Sequence, residues 1–155
     1  MTVSVELYQR YGPALRRKCE RMLRNSQDAE DVVQEVFAGI AYRGNERLEL
    51  SYLYRAVTTR AINLVRDRSR RGSLLERHRE VLRPPEPGLV DGVVSRQMLE
   101  RLLLQLDPQN AEILIYRYYD DLTQDEISTL TGLSRKTVGK RLAEIRLSLA
   151  ALDGV

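Results

Sequence analysis

The run Arg83-Pro-Pro-Glu-Pro-Gly88 puts three prolines and a glycine into five residues. Each proline removes a backbone N–H and fixes φ, so neither a helix nor a central strand passes through it. On both sides of this run apolar residues recur at helical spacing, and nowhere do they alternate as in a half-buried strand. The chain therefore reads as all-α: two small helical modules, residues 1–71 and 95–155, joined by a Pro-rich linker over 72–94. A length of 155 residues suits one ordinary domain or two small ones, and each half would have a thin core. With 43% apolar and 30% charged residues the chain carries enough apolar surface to fold.

Residue inventory removes most chemistry. The one cysteine, Cys19, permits neither an internal disulfide nor a thiolate metal cluster, and suits a reducing cytosol. It lies among Arg17, Lys18 and Arg21, which supports no redox role by itself. The one histidine, His78, sits beside the linker with no partner at a motif spacing. No catalytic residue, metal or cofactor is expected, and the chain is not expected to be an enzyme. No stretch approaches the ~20 consecutive apolar residues of a membrane span, and Met1 to Glu6 lacks the basic and apolar run of a signal peptide. A cytoplasmic protein without membrane insertion is expected, with no regulatory extension after the last helix.

The net charge of +3 hides an asymmetry. Residues 1–83 carry 17 Arg/Lys against 11 Asp/Glu, and residues 84–155 carry 8 against 11. Basic residues bunch at Arg16-Arg17-Lys18 and at Arg66, Arg68, Arg70 and Arg71. Such clusters attract polyanions through counterion release, although a solvated helix face in an Arg-rich chain would look the same.

In the first module the spacing predicts helices over residues 4–24, 28–42 and 50–70, with Asn25-Ser26 as break and cap. Tyr8, Tyr11, Leu15, Met22 and Leu23 are available to the core from the first helix. From the second come Ala29, Val32, Val33, Val36, Phe37 and Ile40, leaving Asp28, Asp31 and Glu35 on the opposite side with Gln34 nearby. The third keeps Leu50, Leu53, Tyr54, Val57, Ala61, Leu64 and Val65 on one face and leaves Arg55, Thr59, Arg60, Asn63 and Arg66 on or near the wet side. In the second module a leucine-rich helix over 93–106 is followed by Asp107 as N-cap and Pro108 as first helical position. The next helix reaches about Tyr119.

Gln124 to Leu142 carries the strongest local signal. Thr123 caps a short helix over 124–131, Gly132 suits the left-handed residue that ends it, and Ser134 caps a last helix reaching about Leu149. Ile127 and Leu130 bury the first helix of this pair, Leu133 plugs the turn, and Ser128 is small enough for a close crossing. Val138, Leu142 and Ile145 bury the second helix. Arg135, Lys136, Thr137, Lys140 and Arg141 are left outward. An apolar back with long polar residues at the N-terminal end is what a major-groove recognition helix needs.

With these segments identified, the chain resembles a bacterial extracytoplasmic-function sigma factor, a compact member of the sigma-70 family. Asp28-Ala-Glu-Asp31-Val-Val-Gln34-Glu35-Val-Phe37 is similar to the family's region 2 signature. Leu102 to Leu149 is similar to region 4, through Leu106-Asp-Pro108, Asp121-Leu-Thr-Gln-Asp-Glu-Ile127, Gly132-Leu-Ser134 and Thr137-Val138 with Arg141. Tyr52-Leu-Tyr-Arg55 and the Arg-rich 66–71 stretch look like the promoter-melting and −10-reading part of region 2. The resemblance implies a promoter-specific initiation subunit that binds core RNA polymerase and lacks catalysis of its own. It implies docking of Asp28, Asp31, Gln34 and Glu35 on the β′ clamp helices, contact of the second module with the β flap, and control by an anti-sigma partner. It implies −10 contacts by Arg43, Asn45, Tyr52, Arg55, Thr59, Arg60, Asn63 and Arg66, with Arg43, Gly44 and Asn45 in the base-capturing loop. It implies −35 contacts by Arg135, Lys136, Thr137, Lys140 and Arg141. The chain departs from the family pattern at Tyr52, where Trp is frequent, near Thr59, where Asn is frequent, at Asn63, where Asp is frequent, and at Ser128, where Ala is usual.

Two other classes remain open on sequence. One is a stand-alone helix-turn-helix regulator that binds an operator directly, and the other a helical adaptor that binds protein only. Acids at a helix start also act as caps, worth ~1 kcal/mol, which accounts for Asp28 and Asp31 but not for Glu35.

Overall fold

A computed structural model of the chain describes residues 2–43, 50–71 and 96–153. The described residues hold seven helices and no strand. These are α1 Thr2–Leu23, α2 Ser26–Arg43, α3 Leu50–Arg71, α4 Arg96–Gln105, α5 Pro108–Tyr118, α6 Gln124–Thr131 and α7 Arg135–Asp153. The all-α expectation holds for them. They divide into two compact units, Met1–Asn63 and Leu64–Val155, so the last third of α3 belongs to the second. The Pro-rich run and the rest of the 72–94 linker lie outside the described residues, as does His78.

In the first unit α1 ends at Arg24, whose left-handed backbone (φ 52°) turns the chain while its N–H donates to the Glu20 carbonyl at 2.7 Å. Asn25 then caps α2, its Oδ1 accepting from the Asp28 N–H at 3.0 Å. This cap starts α2 two residues before the predicted Asp28. The buried face of α2 is Ala29, Val32, Val33, Val36, Phe37 and Ile40, as the periodicity requires. Each of the larger side chains contributes ~1.5–3 kcal/mol of transfer free energy. Phe37 packs edge-on against Tyr8 of α1, centroids 5.2 Å apart and planes at 82°. Tyr8 and Tyr11 are only half-buried, whereas Leu15, Cys19, Met22 and Leu23 form the true inner face of α1. The first-unit part of α3 buries Leu53, Val57, Ala61 and Ile62, and the buried Thr58 hydroxyl donates to the Tyr54 carbonyl at 2.8 Å.

The basic triplet in α1 is not a free patch. Consecutive helix residues point in different directions, and only Arg17 of the three is exposed. Lys18 is 4% exposed, with its ammonium 4.5 Å from the centre of the Tyr54 ring. Arg16 lies 3.6 Å from Glu20 and 3.7 Å from Glu30.

The second unit centres on α7, which packs against α4, α5 and α6. Leu99, Leu102 and Leu103 supply the inner face of α4. Asp107 caps α5, accepting from the Asn110 N–H at 2.8 Å, and Pro108 holds the first turn. Every residue from Asn110 to Tyr116 is buried, so the middle of α5 is enclosed on all sides within this unit. Inside it the Tyr116 hydroxyl donates to Glu112 at 2.6 Å. From α7 come Val138, Leu142, Ile145 and Leu149, and the helix continues to Asp153, about a turn beyond the predicted Leu149.

Candidate nucleic-acid and partner interfaces

The helix-turn-helix is fixed at both of its helix starts. Thr123 and Glu126 form a capping box at α6: the Glu126 N–H donates to Thr123 Oγ1 at 3.1 Å, and the Thr123 N–H donates to Glu126 Oε1 at 2.9 Å. The Thr123 backbone donor, followed by its hydroxyl, holds the Glu126 carboxyl below its ordinary pKa. At the other end Gly132 takes the left-handed conformation (φ 78°), donating to the Ser128 carbonyl at 2.9 Å. Ser128 is more than a small residue at a crossing: its hydroxyl donates to the Leu133 carbonyl at 2.6 Å and pins the turn. Of the apolar residues assigned to this motif, Ile127 is buried, while Leu130 and Leu133 are half-buried.

Ser134 begins α7 as expected, accepting from the Thr137 N–H at 3.1 Å and donating to the Thr137 hydroxyl at 2.8 Å. Thr137 is thereby engaged in the cap. Lys136 and Lys140 are exposed, one turn apart, opposite the buried Val138 and Leu142 face. Neither makes an ion pair among the described residues. Arg135 is exposed and meets Asp125 of α6 through Nε at 3.1 Å. Arg141 is half-buried, 3.4 Å from Asp107 and 3.5 Å from Glu144, close enough for ion pairing but long for a hydrogen bond. The outward set of the recognition helix is thus Arg135, Lys136 and Lys140, with Arg141 bracing α5 against α7.

A contact that sequence reasoning missed joins the two helices. Gln124, the first residue of α6, donates from Nε2 to the Arg135 carbonyl at 2.8 Å. Gly139 makes room for it, because a Cβ there would lie 2.8 Å from that same Nε2. A Gln at a helix start opposite a Gly mid-helix is the sequence trace of this bridge, visible only once the crossing is known.

In the first unit, Asp31, Gln34 and Glu35 stand exposed on α2, with Asp28 half-buried at its first turn. Asp31 accepts from Gln27 at 3.0 Å, and Gln34 donates to Glu30 at 3.1 Å. Helical spacing does not single out Glu30, yet it clasps α1 to α2: the Tyr8 hydroxyl donates to it at 2.6 Å, and Arg16 approaches it. That hydrogen bond, with burial behind it, raises the Tyr8 pKa above the ordinary phenol value. Along α3, Tyr52, Thr59, Arg60 and Asn63 are exposed and Arg55 is half-buried. Arg60 reaches across to Glu35, Nη2 to Oε1 at 2.7 Å. The structure therefore joins one residue of the proposed docking stripe to one of the proposed DNA-facing row.

Arg66 departs from the expectation. It lies in the second unit, where its Nε donates to the Leu103 carbonyl and its Nη2 to the Leu106 carbonyl at 2.9 Å, satisfying acceptors at the end of α4. Burial, and then the neighbouring Arg70 charge, push its pKa down, against the pull of Asp107. Half-buried and twice bonded, it is a helix-end clamp rather than an outward contact. Arg43 is the last residue of α2, while Gly44 and Asn45 fall outside the described residues. No helix among the described residues is long and apolar enough to cross a membrane.

Comparison with known proteins places both halves. A family model described as Sigma-70 region 2 matches residues 7–71, and one described as Sigma-70, region 4 matches residues 96–149. The chain is also similar to an RNA polymerase sigma-F factor of Kitasatospora aureofaciens, 39% identical over 67 residues, or 37% of this chain. That match takes in 23% of the relative, so the chain spans less than a quarter of its length.

Proposed function

Because the chain belongs to the sigma-70 family, we propose that it is a promoter-specific initiation subunit of the extracytoplasmic-function kind, acting in the cytoplasm on bacterial core RNA polymerase. The observation that carries this reading is the pairing of two family regions, in order, on one chain whose second region presents an outward Arg135, Lys136 and Lys140 row on a helix-turn-helix. Residues 1–71 then serve as the polymerase-docking and −10 module, 72–94 as the connection and 95–155 as the −35 module.

The division of labour follows from the side chains. Asp28, Asp31, Gln34 and Glu35 offer an acidic and amide surface to the β′ clamp helices. Tyr52 presents an exposed ring on which an unpaired base can stack. Thr59, Arg60 and Asn63 extend the row along α3, with Arg55 beside it, Arg43 at the end of α2 and Asn45 completing the −10 set. Lys136 and Lys140 neutralise −35 phosphates, and Arg135 reaches the base edges. The second module meets the β flap, and an anti-sigma partner holds the free protein in check. The chain performs no bond chemistry; it positions promoter DNA for the polymerase.

The test is binding of the purified chain to bacterial core RNA polymerase, compared with Asp31→Arg/Glu35→Arg. Tight binding by the wild type and none by a variant of unchanged helix content supports the docking stripe. Undiminished binding by the variant refutes it, and no binding by either chain, with intrinsic affinity for a duplex site, favours a stand-alone regulator.

A further inference from the structure

Two contacts from α6 converge on Arg135, the first residue of the recognition helix. Gln124 holds its carbonyl at 2.8 Å, and Asp125 holds its guanidinium at 3.1 Å. Stability does not explain the second contact. The side chains are 71% and 68% exposed, and a pair so open to water adds little. A cation at a helix start is also opposed by the helix dipole, so Arg135 stands where an acid would suit the helix better. Nor is Asp125 needed as a cap, since Thr123 and Glu126 complete that box.

Geometry supplies a reason. Asp125 approaches Nε, on the stem side of the guanidinium, and the Nη1/Nη2 edge is the far end of the side chain. That far edge is a planar two-donor fork, the shape that matches O6 and N7 of guanine in the major groove. Lys136 and Lys140 are point charges and cannot make this match. The other arginines of α7 are Arg141, turned toward Asp107 and Glu144, and Arg146, three turns further along the helix. The end of a recognition helix that meets base edges is its N-terminal end, where Arg135 stands.

Resting on the promoter-reading assignment above, we infer that Asp125 is a positioning residue that aims the Arg135 fork at a guanine of the −35 element, with Gln124 fixing the backbone from which that side chain springs. Asp125 touches no DNA. Its negative charge repels phosphate, so it lowers general affinity while raising discrimination at one base pair.

That opposed pair of effects gives the test. Duplexes randomised across the −35 element are selected with the full chain bound to core polymerase. Wild type should select guanine at one position through Arg135, and Arg135→Lys should lose that preference while keeping the charge. Asp125→Asn should reduce the preference at the same position by on the order of ten-fold, leave the other positions unchanged, and hold or raise affinity for unselected duplex. Asp125→Glu should restore part of the preference. A purely structural role would weaken all positions together. Selection of the same guanine by Asp125→Asn at wild-type stringency overturns the inference, as does its retention by Arg135→Lys. Wild-type complex that selects no −35 sequence overturns the promoter-reading assignment, and this inference with it.

Discussion

The Glu35 carboxylate and the Arg60 guanidinium meet at 2.7 Å, tying the outward face of α2 to the outward face of α3 at one point. In the proposed function these faces meet different partners, the polymerase and the −10 DNA. Both side chains are more than half exposed, so the bond itself is weak. A double-mutant cycle of Glu35→Ala and Arg60→Ala, read by chemical denaturation, should return a coupling of ~0.2–1 kcal/mol that shrinks with added salt. A coupling well above that range, insensitive to salt, would contradict an exposed pair.

The Glu126 cap makes the helix-turn-helix sensitive to acid. Its folded-state pKa is depressed by the Thr123 donors. Its contribution is therefore fully present above the ordinary glutamate value of ~4.3 and is lost as pH falls through the lower folded value. Glu126→Gln keeps a capping-box side chain without the charge. Melting curves of the two proteins should differ near neutral pH and converge as pH falls through the depressed folded value. A difference that stays constant over that span would show that the ionised cap contributes nothing.

Gly139 and Gln124 should be coupled with a change of sign. Replacing a mid-helix glycine by alanine stabilises an open helix by ~0.5–1 kcal/mol. Here the new Cβ would sit 2.8 Å from Gln124 Nε2 and displace its hydrogen bond to Arg135, a loss of ~0.5–1.5 kcal/mol. Gly139→Ala alone should be neutral or destabilising, whereas in a Gln124→Ala background it should be stabilising. Denaturation midpoints of the four proteins decide it, and equal effects of Gly139→Ala in both backgrounds would rule the bridge out.

Lys136 and Lys140 project from the outward side of α7 without ion-pair partners among the described residues. If each neutralises one phosphate, Lys136→Ala or Lys140→Ala should lower the slope of log affinity against log salt by about one and weaken binding across −35 sequences alike. Titrations of the polymerase-bound chain on duplex at several salt concentrations measure this. An unchanged slope would remove that lysine from the interface.

What was legible in the sequence is what one helix or one turn determines alone. The buried face of α2, the Asp107-Pro108 start of α5, the αL glycine at 132 and the Thr123 and Ser134 caps depend on residues at most a few positions apart. Their spacing is set by helix periodicity and orphan backbone donors. What was hidden depends on how helices are rotated against each other. Glu30 with Tyr8, Glu35 with Arg60, Gln124 with the Arg135 carbonyl and Arg66 with the end of α4 are 11 to 37 or more positions apart. Arg16-Arg17-Lys18 misled for a related reason, since a run in sequence scatters around a helix, and Lys18 went inward onto Tyr54. Register alone puts Arg141 outward; that it lies half-buried beside Asp107 and Glu144 depends on how α7 sits against the start of α5.

Whether this chain gives core polymerase its promoter choice is decided by transcription from a randomised promoter library by the reconstituted complex. Initiation is expected from a restricted set sharing one −35 and one −10 element at fixed spacing, with none from core alone. Transcripts no more selective than those of core alone, from a chain that binds its own duplex site without polymerase, would contradict it.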